Sequence, residues 1–268
     1  MLTTLMKYEF KAVGRLLLPL YGAWLIAAVL LGLSIGNSGN DGSVLFITLS
    51  SILYAGACIS AVILTAIILI QRFYKNLLGS EGYLMFALPV STGRHIANKV
   101  VSGAVWTCAG IIVAILSGLI IAVTIEGFAS VFENMDFIVS DIKYAVSREP
   151  SVLLVIPEFI IVMLAASASF CAKVYAAIAV GHQWGNHRVL GAILAYIGFG
   201  IIETVLGNLL NMIYDAGLYE ICWNLTENMS YMAVAHLSML LAFFAGAAVC
   251  AIYWFVCWKL LDSRLNLE

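Results

Sequence analysis

With 268 residues, 63% of them hydrophobic and only 10% charged, and a mean hydropathy of +1.03, the chain has too much apolar surface for a water-soluble fold of its size, which needs a polar exterior. A soluble enzyme, a secreted disulfide scaffold, a disordered region and a nucleic-acid binder are excluded, and an all-α polytopic membrane protein is expected. Of the six cysteines, five (Cys58, Cys108, Cys171, Cys250 and Cys257) lie in apolar runs, and there is no CxxC spacing for a metal or a redox pair.

Residues 1–15 form a separate element ahead of the first span. Lys7, Lys11 and Arg15 recur at i, i+4 and i+8, while Leu2, Leu5, Met6, Phe10 and Val13 cover the other side. This is a basic amphipathic helix of the kind that lies along a membrane surface. Glu9 falls in the middle of its apolar arc. It either snorkels from a fraying end or meets a cation from a neighbouring segment.

The rest, 16–268, reads as one transmembrane domain. A span takes ~20 apolar residues, and six segments qualify: 16–36, 44–70, 100–123, 152–180, 189–210 and 233–258. The apolar run of the first is too long for the core of a cleaved signal peptide, so it is read as retained. Between spans two and three, residues 71–99 mix bases with apolar side chains. Gly79 and Gly82 bracket a turn at Ser80–Glu81, a short helix is expected from Tyr83 to Leu88, and Pro89 ends it. Ser91 or Thr92 then caps span three. Leu84, Met85 and Leu88 give that short helix an apolar face, which suits docking on a partner or lying on the bilayer.

After span three, Phe128, Val131, Phe132, Met135, Ile138, Val139, Ile142 and Val146 keep helical spacing with Glu133, Asp136 and Asp141 off their stripe. An amphipathic helix is expected over 126–146, ahead of Pro150. The oily, acidic segment 211–232, with Tyr214, Tyr219, Ile221 and Trp223, is expected to form short helices. Glu158 in span four and Glu203 in span five are costly in hydrocarbon. Counting 1.5 Å per residue from the span ends puts Glu158 ~10 Å deep and Glu203 ~22 Å along. Both then fall in the outer third, with His236 of span six in reach, as candidate pathway residues.

Charge orients the chain. An alternating topology puts Lys7, Lys11, Arg15, Arg72, Lys75, Arg94, Lys99, Lys173, Arg188, Lys259 and Arg264 on one side, eleven of the 13 basic residues, so both termini are expected in the cytoplasm. Nothing in the sequence carries catalysis. There is no GxxxxGK[ST] phosphate loop, no HExxH, no GxSxG and no metal-ligand spacing.

Two stretches resemble a known family. Lys7-Tyr-Glu-Phe-Lys11 leading into a first span, and Tyr74-Lys75-Asn76-Leu77 … Ser80-Glu81-Gly82-Tyr83-Leu84 … Leu88-Pro89-Val90-Ser91, look like the six-span permease subunits of bacterial ATP-binding-cassette exporters (the type-2 class). The resemblance implies that 1–15 is an elbow helix carrying Lys7, Glu9, Lys11 and Arg15. It also implies that Glu81, Gly82, Tyr83, Leu84, Met85, Leu88 and Pro89 form a coupling helix that docks on a separate ATPase. On that reading two permease subunits share one pathway in the bacterial cytoplasmic membrane, short outer helices precede span six, and ATP and Mg belong to the partner rather than to this chain. The alternative is an ion-coupled secondary transporter built from two inverted three-helix halves, although no internal repeat is evident.

Overall fold

In a computed structural model, residues 2–37, 43–79, 82, 90–126, 130 and 135–263 are described. All regular structure among them is helical. The long elements are α1 (Leu2–Gly36), α2 (Ser43–Phe73), α3 (Thr92–Glu126), α4 (Met135–Arg148), α5 (Val152–Gly181), α6 (Arg188–Ile213), α7 (Tyr219–Thr226) and α8 (Tyr231–Ser263). Six of them, all but α4 and α7, are long and apolar enough to cross a membrane, so the chain is a multi-pass membrane protein. All six cysteines are free.

The chain folds as two compact units, Met1–Gln71 with Val105–Pro150 and Arg72–Ala104 with Ser151–Glu268. In the first, α1 buries one stripe at i+3 and i+4 spacing: Val13, Leu17, Tyr21, Trp24, Ala28 and Leu31. Lys7, Lys11 and Arg15 are exposed, as an amphipathic face requires. Glu9 falls on the buried stripe at 8% exposure, so it does not snorkel into water. The helix runs on unbroken through residue 15, where the sequence pattern divides an amphipathic segment from a span.

Polar side chains and glycines hold α1, α2 and α3 of this unit together. The Tyr21 hydroxyl donates to the Trp106 carbonyl at 3.0 Å and lies 3.2 Å from Thr65 Oγ1, and Tyr54 and Ser117 hydroxyls meet at 3.0 Å. Gly32 and Gly36, one helical turn apart, both face Thr124 of α3: a Cβ on Gly32 would lie 2.7 Å from Thr124 Cβ, and one on Gly36 2.8 Å from the Thr124 carbonyl. Small residues at this spacing let two helix backbones approach without a hydrophobic drive in lipid. Gly32→Ala is therefore expected to cost about 2 kcal/mol by overpacking, and Thr124→Gly in the same chain should restore part of that loss. Melting of the two single variants and the double variant in detergent checks this, with Gly22→Ala, which meets nothing within 4 Å, as the neutral control.

α4 accounts for the later part, Met135–Arg148, of the amphipathic helix expected over 126–146. It starts at Met135, and residues 127–129 and 131–134 lie outside the described residues. None of its described side chains is buried.

In the second unit α5 is central and packs on both α6 and α8. Gly185, at φ +51°, makes the reversal between α5 and α6, and Gly217, at φ +148°, breaks the helix between α6 and α7. The short helices expected before span six are present as a π-helical turn at Tyr214–Leu218 followed by α7. Ser169 Oγ donates to the Gly246 carbonyl at 2.7 Å, tying α5 to α8.

Span three begins eight residues earlier than hydropathy indicates. The helix starts at Thr92, with the Arg94 and His95 amides bonded to the Ser91 carbonyl. His95, Asn98, Lys99 and Ser102 share one helix face, and each is at most 3% exposed. Lys99, counted from the sequence as a loop cation, is a buried helix residue.

Candidate functional site

The spans of the second unit bring five polar or aromatic side chains together in the α5–α6–α8 packing. Lys173, on α5, places its ammonium against Glu203 Oε2 of α6 as an ion pair. The same ammonium sits over the Tyr196 ring, 4.9 Å from its centroid, a distance at which a cation is attracted by the face of the ring. Glu203 Oε1 accepts a 2.6 Å hydrogen bond from the Tyr253 hydroxyl of α8, and the Phe199 ring packs on Tyr253 at 5.1 Å. Residues 196, 200 and 203 lie one above another on α6. Gly200 lies between Tyr196 and Glu203, and a Cβ there would stand 3.8 Å from Lys173 Nζ, at ordinary contact distance. The exposure of the pair is unequal: the lysine side chain is 12% exposed and the glutamate side chain 40%.

A histidine–carboxylate contact lies toward the other end of α5. His236 Nδ1 of α8 is 2.6 Å from Glu158 Oε2 of α5, with Pro157 immediately before the carboxylate. His236 Nε2 is buried and finds no hydrogen-bond partner among the described residues.

The structure therefore keeps Glu158 and His236 together as expected and separates Glu203 from them. A Cβ on Gly181 of α5 would lie 2.6 Å from Ala192 Cα, so the first turn of α6 extends past the end of α5. Glu203 then stands level with about residue 170, ~16 Å from the Gly181 end and ~18 Å along the axis from Glu158 at 1.5 Å per residue. Counting depth from the start of α6 misses this offset and puts Glu203 too far out. Sequence reading also missed Lys173 as a site residue by treating it as a flanking cation. The usable signal was its position inside the predicted 152–180 span.

The ends of the 71–99 segment are held by the same helices. Phe73 stacks on Tyr175 of α5, with centroids 4.2 Å apart and planes 5° from parallel, and both rings are almost fully buried. Tyr74–Leu78 forms a π-helical turn whose Leu77 and Leu78 are buried. At the other end Trp254 Nε1 of α8 donates to the Gly93 carbonyl at 3.2 Å, and Thr92 Oγ1 to Asp262 Oδ1 at 3.4 Å. Tyr175 is two residues from Lys173, and Trp254 is next to Tyr253. Of the predicted coupling residues, Gly82 is described and its amide bonds the Gly79 carbonyl at 2.9 Å. Glu81, Tyr83, Leu84, Met85, Leu88 and Pro89 lie outside the described residues.

Among the described residues no three His, Cys, Asp or Glu side chains are grouped to hold a metal. No protein-family model, curated protein or solved structure matches the chain.

Proposed function

We propose that this chain is the permease subunit of a transporter driven by a separate ATPase, acting as an exporter in the bacterial cytoplasmic membrane and forming its pathway with a second permease subunit. One observation carries the reading: both ends of the 71–99 segment are fastened to α5 and α8, on residues adjacent to the intramembrane Lys173–Glu203–Tyr253 cluster. A push on that segment from a docked partner would reach the cluster through two rigid helices. The absence of a phosphate loop in the chain makes such a partner necessary for ATP-driven work. The likeness of 71–91 to a coupling segment agrees with this, as does the basic face of Lys7, Lys11 and Arg15.

The test is recovery of the tagged chain from its native membrane. An ATPase is expected to co-purify. ATP hydrolysis by the pure chain, or the consistent absence of any ATPase, would overturn the reading. In the assembled complex, replacing Glu81 and Tyr83 with alanine is expected to leave assembly intact and reduce transport per ATP hydrolysed at least about tenfold, the size of a lost coupling interaction of ~1.4 kcal/mol. Unchanged coupling would remove the docking role.

The two acidic contact pairs in the spans also favour a second reading, an ion-coupled secondary transporter with inverted halves. Both pairs, however, lie on α5, α6 and α8, rather than at matching places in two halves. Uptake or efflux by the chain alone in vesicles, following an imposed proton gradient without ATP, would replace the first reading with this one.

A further inference from the structure

We propose that Glu203, Tyr196 and Tyr253 form a recognition site for the cationic head of an amphiphile, and that Lys173 is the site's internal cation, displaced when such a substrate binds. The proposal rests on reading the chain as part of a transport pathway, and supplies the substrate class.

The chemistry of the site is that of an organic-cation receptor. A carboxylate provides charge, and a tyrosine ring provides its negative face. Lys173 shows that a cation fits there, since its ammonium already meets both the carboxylate and the ring.

The inequality of exposure decides which charge a ligand would meet. The lysine is mostly covered, whereas 40% of the Glu203 side chain is open and Tyr196 is 37% exposed. A ligand approaching this face meets carboxylate and ring before it meets ammonium. An ion pair serving only to neutralise two buried charges has no need of an open carboxylate flank, and an open flank is costly within a span unless a polar or charged group covers it. The flank of α6 beside the site is oily, with Ile193 and Ile197 exposed. It suits the hydrocarbon of an amphiphile whose head occupies the site. Lys173 reaches the site on a flexible four-carbon stem, so it can withdraw without moving α5.

The experiment uses the purified full chain in nanodiscs and measures binding of tetraphenylphosphonium, with tetraphenylborate as the isosteric anion. The wild-type chain is expected to bind the cation and not the anion. Lys173→Met removes the internal competitor and should tighten cation binding about tenfold, whereas Glu203→Gln should weaken it about tenfold or more. Should Lys173→Met fail to fold, wild type against Glu203→Gln decides alone. Equal binding of cation and anion, or no change on Glu203→Gln, or no tightening in a folded Lys173→Met chain, overturns the proposal and leaves a structural ion pair. No ATPase is present in this assay, so its failure is separate from failure of the co-purification test.

Discussion

Replacing Gly181 with alanine is expected to unseat the α5–α6 hairpin, at a cost of about 3 kcal/mol or more, at the top of the range for overpacking. The new methyl would overlap the backbone of Ala192, with its Cα 2.6 Å away. Backbone cannot rotate out of the way as a side chain can, so the helices must part. Parting them shifts α6 against α5 and separates Glu203 from Lys173. The expected readouts are a lower melting temperature in detergent and reduced folded yield, together with loss of cation binding. Gly198→Ala on α6, with nothing within 4 Å of its Cβ, should behave as wild type. If the two variants melt alike, the close approach of α5 and α6 at Gly181 is not what sets the register.

Phe73→Ala should be nearly as damaging, at about 3–4 kcal/mol, because it deletes a fully buried ring and leaves a cavity. Phe73 is 0% exposed and stacks on Tyr175, and such stacked pairs contribute beyond their area. The loss falls where the 71–99 segment leaves the membrane helices. Faster tryptic cleavage at Lys75 and Arg94 is therefore expected to accompany the lower stability. Phe73→Leu, which refills most of the volume, should recover much of the stability but not the stacking. Under the permease reading this variant assembles with its ATPase yet transports less per ATP. Cleavage at wild-type rates in Phe73→Ala would show that the stack does not anchor the segment.

How much was legible in the sequence differs from one element to the next. The second span was expected at 44–70 and the helix runs Ser43–Phe73, because an unbroken apolar run of that length reads the same in any context. Hydropathy placed the third span at 100–123, and the helix begins instead at Thr92. Its first two turns carry His95, Asn98 and Lys99, residues that suggest a loop by composition. The fold buries them on one face of α3, so local polarity was a poor guide to burial there.

By itself, the sequence determined the class of protein, the number of long apolar helices and the amphipathic pattern around them. These depend on local composition and on the ~30 Å of hydrocarbon any span must cross. Only the tertiary structure decided which charges meet. Glu203 joins Lys173 and Tyr253 rather than Glu158, because Gly181 seats against Ala192 and carries the first turn of α6 beyond the end of α5. A register of that kind is set by contact between residues distant in sequence, and no count of residues from the end of a span contains it.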